Sequence, residues 1–349
     1  MPPKSNFQGN NGLAAKTGKA NFDIAEWIII HLLESVINSQ CYLTVLCKTS
    51  TARKSLFHFW KQNLNIGRAQ LYLIDAKKHF QATVDACLLV VDLSAKSCKQ
   101  SAIVYSSLSD RKNILYEFGL REGEAIANLT NYAKYKYLDG YSCYKWRSGI
   151  KHDAAKVMEL SLKEGKLSNG FGETVEIEET YLYPLLKSSD IGNGRSIAKK
   201  YVIITQKSLQ DNTKEIKIHA PKTWDYLSNY STILDNRKSS IYKNKPRFSI
   251  FGIGQYSFSQ WKVAISSLYK NLNFSLVHPS DRKPTMLDDT CYFISFDSRS
   301  PAEYWVNCLN SEECQEFLKS LIFFDAKRVV NVDILMRINL KKLGDYDIL

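Results

Sequence analysis

Only seven residues, Lys77 to Thr83, separate the apolar run AQLYLIDA (69–76) from the next one, VDACLLVVDL (84–93). A parallel crossover needs a dozen residues or more, so these two predicted strands must run antiparallel, as a hairpin. The preceding pair is different. CYLTVLCKT (41–49) reads as a buried strand, and STARKSLFHFWKQN (50–63) after it reads as an amphipathic helix long enough for a right-handed parallel crossover to 69–76. Ahead of both, FDIAEWIIIHLLESVI (22–37) reads as a helix with Asp23, Glu26 and Glu34 on one narrow face and apolar residues over the rest, a pattern suited to lying on a sheet. The order helix, strand, helix, strand, antiparallel strand describes part of an α/β layer, with an exposed edge beside its first strand.

From about Ser94 the pattern changes to shorter strand-like pieces: SAIVYSSL, YVIITQKSL, EIKIHA, FSIFGI, KVAISSLY and CYFISF. Gly, Asn, Ser and charged turns break them, and helical segments near 151–163 and 301–324 punctuate them, which predicts a mixed α+β second domain. At 349 residues with 44% hydrophobic content the chain can bury two cores. Forty-seven Lys and Arg against 35 Asp and Glu give a formal net charge of +12, which favours polyanionic partners without distinguishing DNA from RNA or a membrane surface. The start, MPPKSNFQGNNGLAAKTGKAN, has no apolar core of a secretory signal, and the longest apolar run, Trp27 to Ile37, is too short for a bilayer. A soluble cytoplasmic protein without a membrane partner is the expectation. The eight cysteines contain no CxxC pair and read as buried reduced thiols rather than as disulfides or a metal site.

Three stretches resemble one family. TGKANFDIAEWI (17–28) is similar to the helix entry that follows the Asn-Pro-Pro-aromatic catalytic motif of gamma-type adenine-specific (N6) DNA methyltransferases of restriction-modification systems. HFQATVDACLLVV (79–91) resembles their late motif, with an aromatic just before the antiparallel strand. The series YLYPLLKSSDI (181–191), LDNRKSSIYKNKPRFSIFGIG (234–254), WKVAISSLYK (261–270) and MLDDTCYFISFD (286–297) is similar to the recognition domains fused to such enzymes, and is the most specific of the three. The resemblance implies the second half of a class I, Rossmann-like methyltransferase sheet in residues 1–138. It also implies a target-recognition domain in 139–349, double-stranded DNA as partner and S-adenosylmethionine as cofactor.

The sequence departs from the family where the cofactor and the catalytic Asn belong. No Asn-Pro-Pro-aromatic occurs, and Pro2-Pro3 lacks both flanking groups. Phe251-Gly-Ile-Gly254 imitates part of a phosphate loop but is followed by Gln255-Tyr-Ser-Phe, so a tight turn is the better reading of Gly252 and Gly254. Asn169-Gly-Phe-Gly172 reads as a flexible loop. No catalytic residue is assigned within this chain. Phe80 alone carries over, matching the aromatic that packs on a base taken out of the duplex. The competing structural role is to fill the hairpin turn.

Basic residues interleaved with hydroxyls and planar groups mark the expected DNA contacts. One run holds Arg237, Lys238, Ser239, Ser240, Tyr242, Lys243, Lys245 and Arg247, and another holds Lys145, Trp146, Arg147 and Lys151. Lys77, Lys78 and His79 flank Phe80, and Lys4, Lys16 and Lys19 lie in the stretch that would follow the catalytic motif. The histidines show no metal spacing, and Asp288-Asp289 reads as turn chemistry, so no metal site is assigned. Two functions follow. The chain is part of an adenine methyltransferase whose other half, a separate chain in the split-subunit version of this reading, supplies cofactor and catalytic Asn, or it is a DNA-binding specificity module without catalysis.

Overall fold

The computed structural model describes residues 24–64, 66–94 and 99–344; it is mixed α/β and divides into two compact units. The first unit takes residues up to 136 and then 316–326, and the second takes 137–315 and the residues from 327 on.

In the first unit α1 (Ile24–Val36) is followed by β1 (Tyr42–Lys48), α2 (Thr49–Lys61), β2 (Arg68–Ile74), the one-turn helix α3 (Ala76–Phe80) and β3 (Ala86–Asp92). β3 runs antiparallel to β2, as the short connection requires, and inserts between β2 and β1, so that Leu88 lies opposite both Leu46 and Tyr72. β1 and β2 therefore point the same way on either side of it. The connection stays short because Asp75 caps α3, accepting the Lys78 N–H at 2.9 Å, and Gln81 leaves the turn with a left-handed φ of 53°.

The sheet does not end where the pattern changes near Ser94. SAIVYSSL supplies β4 (Ser101–Tyr105), parallel to β2, and β5 (Ile114–Arg121) and β6 (Glu124–Ile126) complete six strands in the order β1-β3-β2-β4-β5-β6. Ala102 and Val104 extend the buried row formed by Ala69, Leu71, Leu89 and Val91, which packs with Ile29, Leu33, Leu56 and Phe59 of the two long helices. Removing that apolar surface from water supplies about 1.5–3 kcal/mol for each fully buried large side chain. One sequence expectation reverses on α1. Glu26 is buried, its carboxylate taking the Lys54 ammonium at 3.3 Å, and the solvent face is instead the apolar row of Ile24, Trp27, Ile28 and Leu32. Asp23 lies outside the described residues.

The second unit contains two sheets. One has five strands, with β8 (Glu159–Lys163), β9 (Lys166–Ser168), β10 (Leu182–Leu186) and β11 (Lys200–Ile203) antiparallel to their sequence-near partners and β14 (Met286–Leu287) parallel to β10. The other has four antiparallel strands, β13 (Ser275–Val277), β12 (Trp261–Ser266), β15 (Cys291–Phe296) and β7 (Arg147–Ser148).

Three expectations fail here for identifiable reasons. After α4 (Leu129–Tyr135), the segment 151–163 is helical only over α5 (Ala155–Met158), because Glu164 and Gly165, both at positive φ, turn β8 back into β9 as a tight hairpin. EIKIHA is not a strand. Its residues form a helical turn, α6 (Ile216–His219), in which Ile216 is buried and Ile218 is 77% exposed, whereas strand alternation would put both on one face. FSIFGI is interrupted by left-handed backbone at Phe248 (φ 65°) and Gly252 (φ 67°), leaving Phe251 in a single bridge to Lys151. The segment 301–324 is two helices, α7 (Arg299–Leu309) and α8 (Glu312–Leu321). Among the described cysteines all are free; Cys87, Cys291 and Cys314 are buried but Cys143 is exposed, so thiol burial holds only in part. Cys98 lies outside the described residues.

Candidate nucleic-acid interface

The two basic runs of the second unit, far apart in sequence, meet in space. The Arg237 guanidinium donates to the His152 carbonyl at 3.2 Å, and to the Ser249 and Leu234 carbonyls at 2.7 Å each. Lys151 and Phe251 exchange backbone hydrogen bonds at 2.9 Å. The Tyr242 ring lies 3.8 Å under the Arg237 guanidinium. Arg237 and Tyr242, read in the sequence as DNA contacts, thus serve as the clamp of the loop 235–248. At its far end buried Phe248 packs against Trp224, and Thr205 and Thr213 donate to the carbonyls of Phe248 and Arg247.

The loop so held exposes Lys238, Ser240, Lys243 and Lys245, while Ser239 is half-buried. No carboxylate pairs with Lys145, Lys238, Lys243 or Lys245 among the described residues, which leaves their charge for an external anion. Arg247 and Lys151 are engaged, Arg247 with Asp235 at 2.8 Å and Lys151 with Asp153 at 2.5 Å and Asp289 at 3.9 Å. Trp146 is a correction. It is only 2% exposed and packs against Phe274, so it has no ring face for a base and belongs to the core. Arg147 is half-buried and lies 4.7 Å over the Tyr256 ring, a partner that sequence reading missed because no spacing rule joins positions so far apart.

Glycines hold this region together. Gly149 passes so close to β14 that a Cβ would meet the Leu287 and Asp288 carbonyl oxygens at 2.2 Å. Gly252 in turn would place a Cβ 2.1 Å from the Gly149 carbonyl. Asn169-Gly-Phe-Gly172 is also fixed. Asn169, itself buried, accepts from the Phe171 and Glu173 N–H groups and donates to the Tyr230 hydroxyl at 2.8 Å, so this loop is not the flexible one the glycines suggest.

Beneath the interface lies an ionic cluster. The buried Glu159 carboxylate takes Lys187 at 2.6 Å and Lys200 at 3.1 Å, with His152 Nε2 at 3.6 Å. Burial pushes the Glu159 carboxyl up, but the hydrogen bonds and charges of Lys187 and Lys200 outweigh it and hold it below the usual carboxylate range. Burial pulls the His152 imidazole below its ordinary value, more strongly than the Glu159 charge raises it. Both groups have depressed folded-state values, so the folded chain binds fewer protons than the unfolded one in the acid range, and stability is lost as pH falls. Thermal unfolding should therefore shift to lower temperature as pH drops from about 7 towards 5, beginning with His152 below about 6.5. A His152→Gln variant should flatten the first part of that decline. Parallel pH profiles for the two proteins would contradict this account.

In the first unit Phe80 ends α3 and is 55% exposed, next to exposed Lys77, Lys78 and His79. It does not fill the hairpin turn. Lys4, Lys16 and Lys19 lie outside the described residues. Among the described residues no group of three His, Cys, Asp or Glu could hold a metal ion, and Asp288 accepts from Thr290 N and Oγ1 as a turn residue does. No helix of the described residues is long and apolar enough to cross a membrane.

No family model matches the sequence. In fold, the chain is similar to the type IIL restriction-modification enzyme MmeI, whose structure is of a complex with DNA, at a TM-score of 0.51 and 12% identity over 88% of this chain. It spans 41% of the length of that structure. In sequence, it is 44% identical over 346 residues to the Type II methyltransferase M.NspV of Nostoc sp. (strain ATCC 29411 / PCC 7524), covering 99% of this chain and 72% of the relative. By that identity over that length, the chain belongs to the Type II methyltransferases of restriction-modification systems.

Proposed function

We propose that this chain is the DNA-reading part, and one wall of the base pocket, of a site-specific adenine-N6 DNA methyltransferase that uses S-adenosylmethionine. In this reading the first unit is the second half of a class I methyltransferase sheet. Its support is the strand order, an antiparallel strand inserted between two strands of common direction. The second unit is the recognition domain, with loop 235–248 and Lys145 on phosphates and base edges.

The observation that carries the proposal is the exposed ring of Phe80 among Lys77, Lys78 and His79, at the connection where the family places its base-packing aromatic. A solvent-facing aromatic beside cations suits an unstacked base, which needs a π-face and has phosphates close by. Phe80 positions the base by stacking, and the adenine amine must find its hydrogen-bond acceptors on groups outside this chain.

The glycine turn at 251–254 does not fit the cofactor. The open side of Gly252 is filled by the Gly149 carbonyl, so the turn at 251–254 is closed by the protein's own backbone and offers no cradle for a nucleoside. In this reading the chain is a fragment or split subunit that binds DNA, and a separate half holds the cofactor and the catalytic Asn. Titration calorimetry with S-adenosylmethionine should give no binding isotherm for the purified chain. A clear isotherm would overturn the division.

A further inference from the structure

Among the described residues, the half-buried arginines are engaged with acceptors of the protein, with one exception. Arg53 pairs with Asp325, Arg337 with Asp139, and Arg237 donates to three backbone carbonyls. The Arg147 guanidinium donates to no acceptor and meets no carboxylate among the described residues; it lies 4.7 Å over the Tyr256 ring. A guanidinium holds five N–H donors in one plane and stays charged at any ordinary pH. Drawing it partly out of water without an acceptor costs free energy, so the missing acceptor is expected from outside the chain.

Two elements fix where this fork sits. Arg147 lies opposite Phe293 in the register of β7 and β15, so both side chains leave the same face of the sheet. Tyr256, on the helical turn Gln255–Phe258, packs its ring 6.0 Å from that of Phe293 and carries the guanidinium on its own face. The backbone beyond Arg147 joins the anchored lysine loop, through the close approach of Gly149 to Gly252 and the bonds between Lys151 and Phe251.

We propose that Arg147 reads a guanine of the DNA target, donating to its O6 and N7 in the major groove, with Tyr256 as the positioning residue that holds the guanidinium for it. The shape of the group decides between base and phosphate. The exposed Lys238, Lys243 and Lys245 offer compact charges on flexible stems, which suit phosphates. A recessed planar fork suits an edge with two acceptors side by side, and guanine is the base that presents two in the major groove. This inference rests on the proposal that the second unit binds duplex DNA, and it adds one base of the target and the residue that selects it.

The test presents the full chain with a pool of duplexes randomised over a central stretch and sequences the bound fraction. The parent should enrich a motif with guanine at a fixed position. Arg147→Gln should lose the preference at that position by roughly tenfold to a hundredfold and keep those at the others. Its fold should persist, since the side chain it shortens donates to no acceptor among the described residues. A second arm needs no variant at all. In anisotropy titrations the parent should bind a duplex with 7-deazaguanine at that position, which lacks the N7 acceptor, several-fold more weakly than the guanine duplex, and Arg147→Gln should not distinguish the two. Tyr256→Phe keeps the ring and should keep the preference, whereas Tyr256→Leu should lower it. An Arg147→Gln affinity that falls equally for every sequence, with a salt slope shallower by about 0.9, would make Arg147 a phosphate contact and overturn the proposal. A parent motif of A·T pairs alone, or a parent indifferent to 7-deazaguanine, would overturn it as well. Absence of salt-sensitive binding to any duplex would instead remove the DNA-reading proposal itself, and this inference with it.

Discussion

Gly149→Ala should prevent the second unit from reaching its native packing. The added Cβ would lie 2.2 Å from two successive carbonyl oxygens of β14 and the residue after it, and backbone on both sides leaves no flexible side chain to give way. The bonds that fix the approach, Ile150 N–H to the Leu287 carbonyl at 2.7 Å and Gly149 N–H to the Cys291 carbonyl at 3.0 Å, would have to break. A cost above about 4 kcal/mol, a large part of a domain's stability, is expected. Gly165→Ala is the comparison. That glycine has a left-handed φ of 77° with nothing within 4 Å of its would-be Cβ, so the cost is conformational only, about 1 kcal/mol. Urea unfolding of the two variants checks this, and equal midpoints would contradict it.

Replacing Lys238, Lys243 and Lys245 together by Gln should lower affinity for duplex DNA by roughly a hundredfold near 0.15 M salt, because a phosphate that no lysine neutralises keeps its condensed counterion, about one for each substitution. The fold should be untouched, since all are exposed and none has a carboxylate partner among the described residues. Anisotropy titrations with labelled duplex would measure it. Lys151 and Arg247, held by Asp153, Asp289 and Asp235, should matter much less. A triple variant that binds as tightly as the parent would move the interface elsewhere.

How far the sequence carried depends on the range over which each signal acts. The antiparallel β3 was legible because seven residues cannot span a parallel crossover, a constraint local to the connection. The insertion of β3 between β1 and β2 was not, since pairing order depends on contacts distant in sequence. Glu26 misled because an acidic residue on a helix reads as solvent-facing until Lys54, on another helix, is seen to pair with it. The hairpin at Glu164-Gly165 carried a turn signal that the apparent helical pattern of 151–163 masked.

The same holds for the interface. Its lysines were legible from composition, but their separation into free and engaged cations was not, because Asp153, Asp235 and Asp289 had to be placed first. Arg237 looked like a phosphate ligand and is a clamp, since the carbonyl of His152, distant in sequence, converges on it with those of nearby Leu234 and Ser249. Trp146 looked planar and available, yet its neighbour Phe274 comes from far along the chain. The return of residues 316–326 to the first unit, where Phe323 meets Phe57 and Phe118, has no local signature at all.

The proposed function requires that this chain by itself bind DNA through an anchored, cation-bearing loop. The most direct measurement is the affinity of the purified chain for duplex DNA across roughly 0.05 to 0.2 M salt, alongside the triple lysine variant. Measurable binding is predicted, with a logarithmic affinity that falls linearly with the logarithm of salt and a slope about 2.7 shallower in the variant. No binding at the lowest salt, or binding that ignores salt, would contradict it.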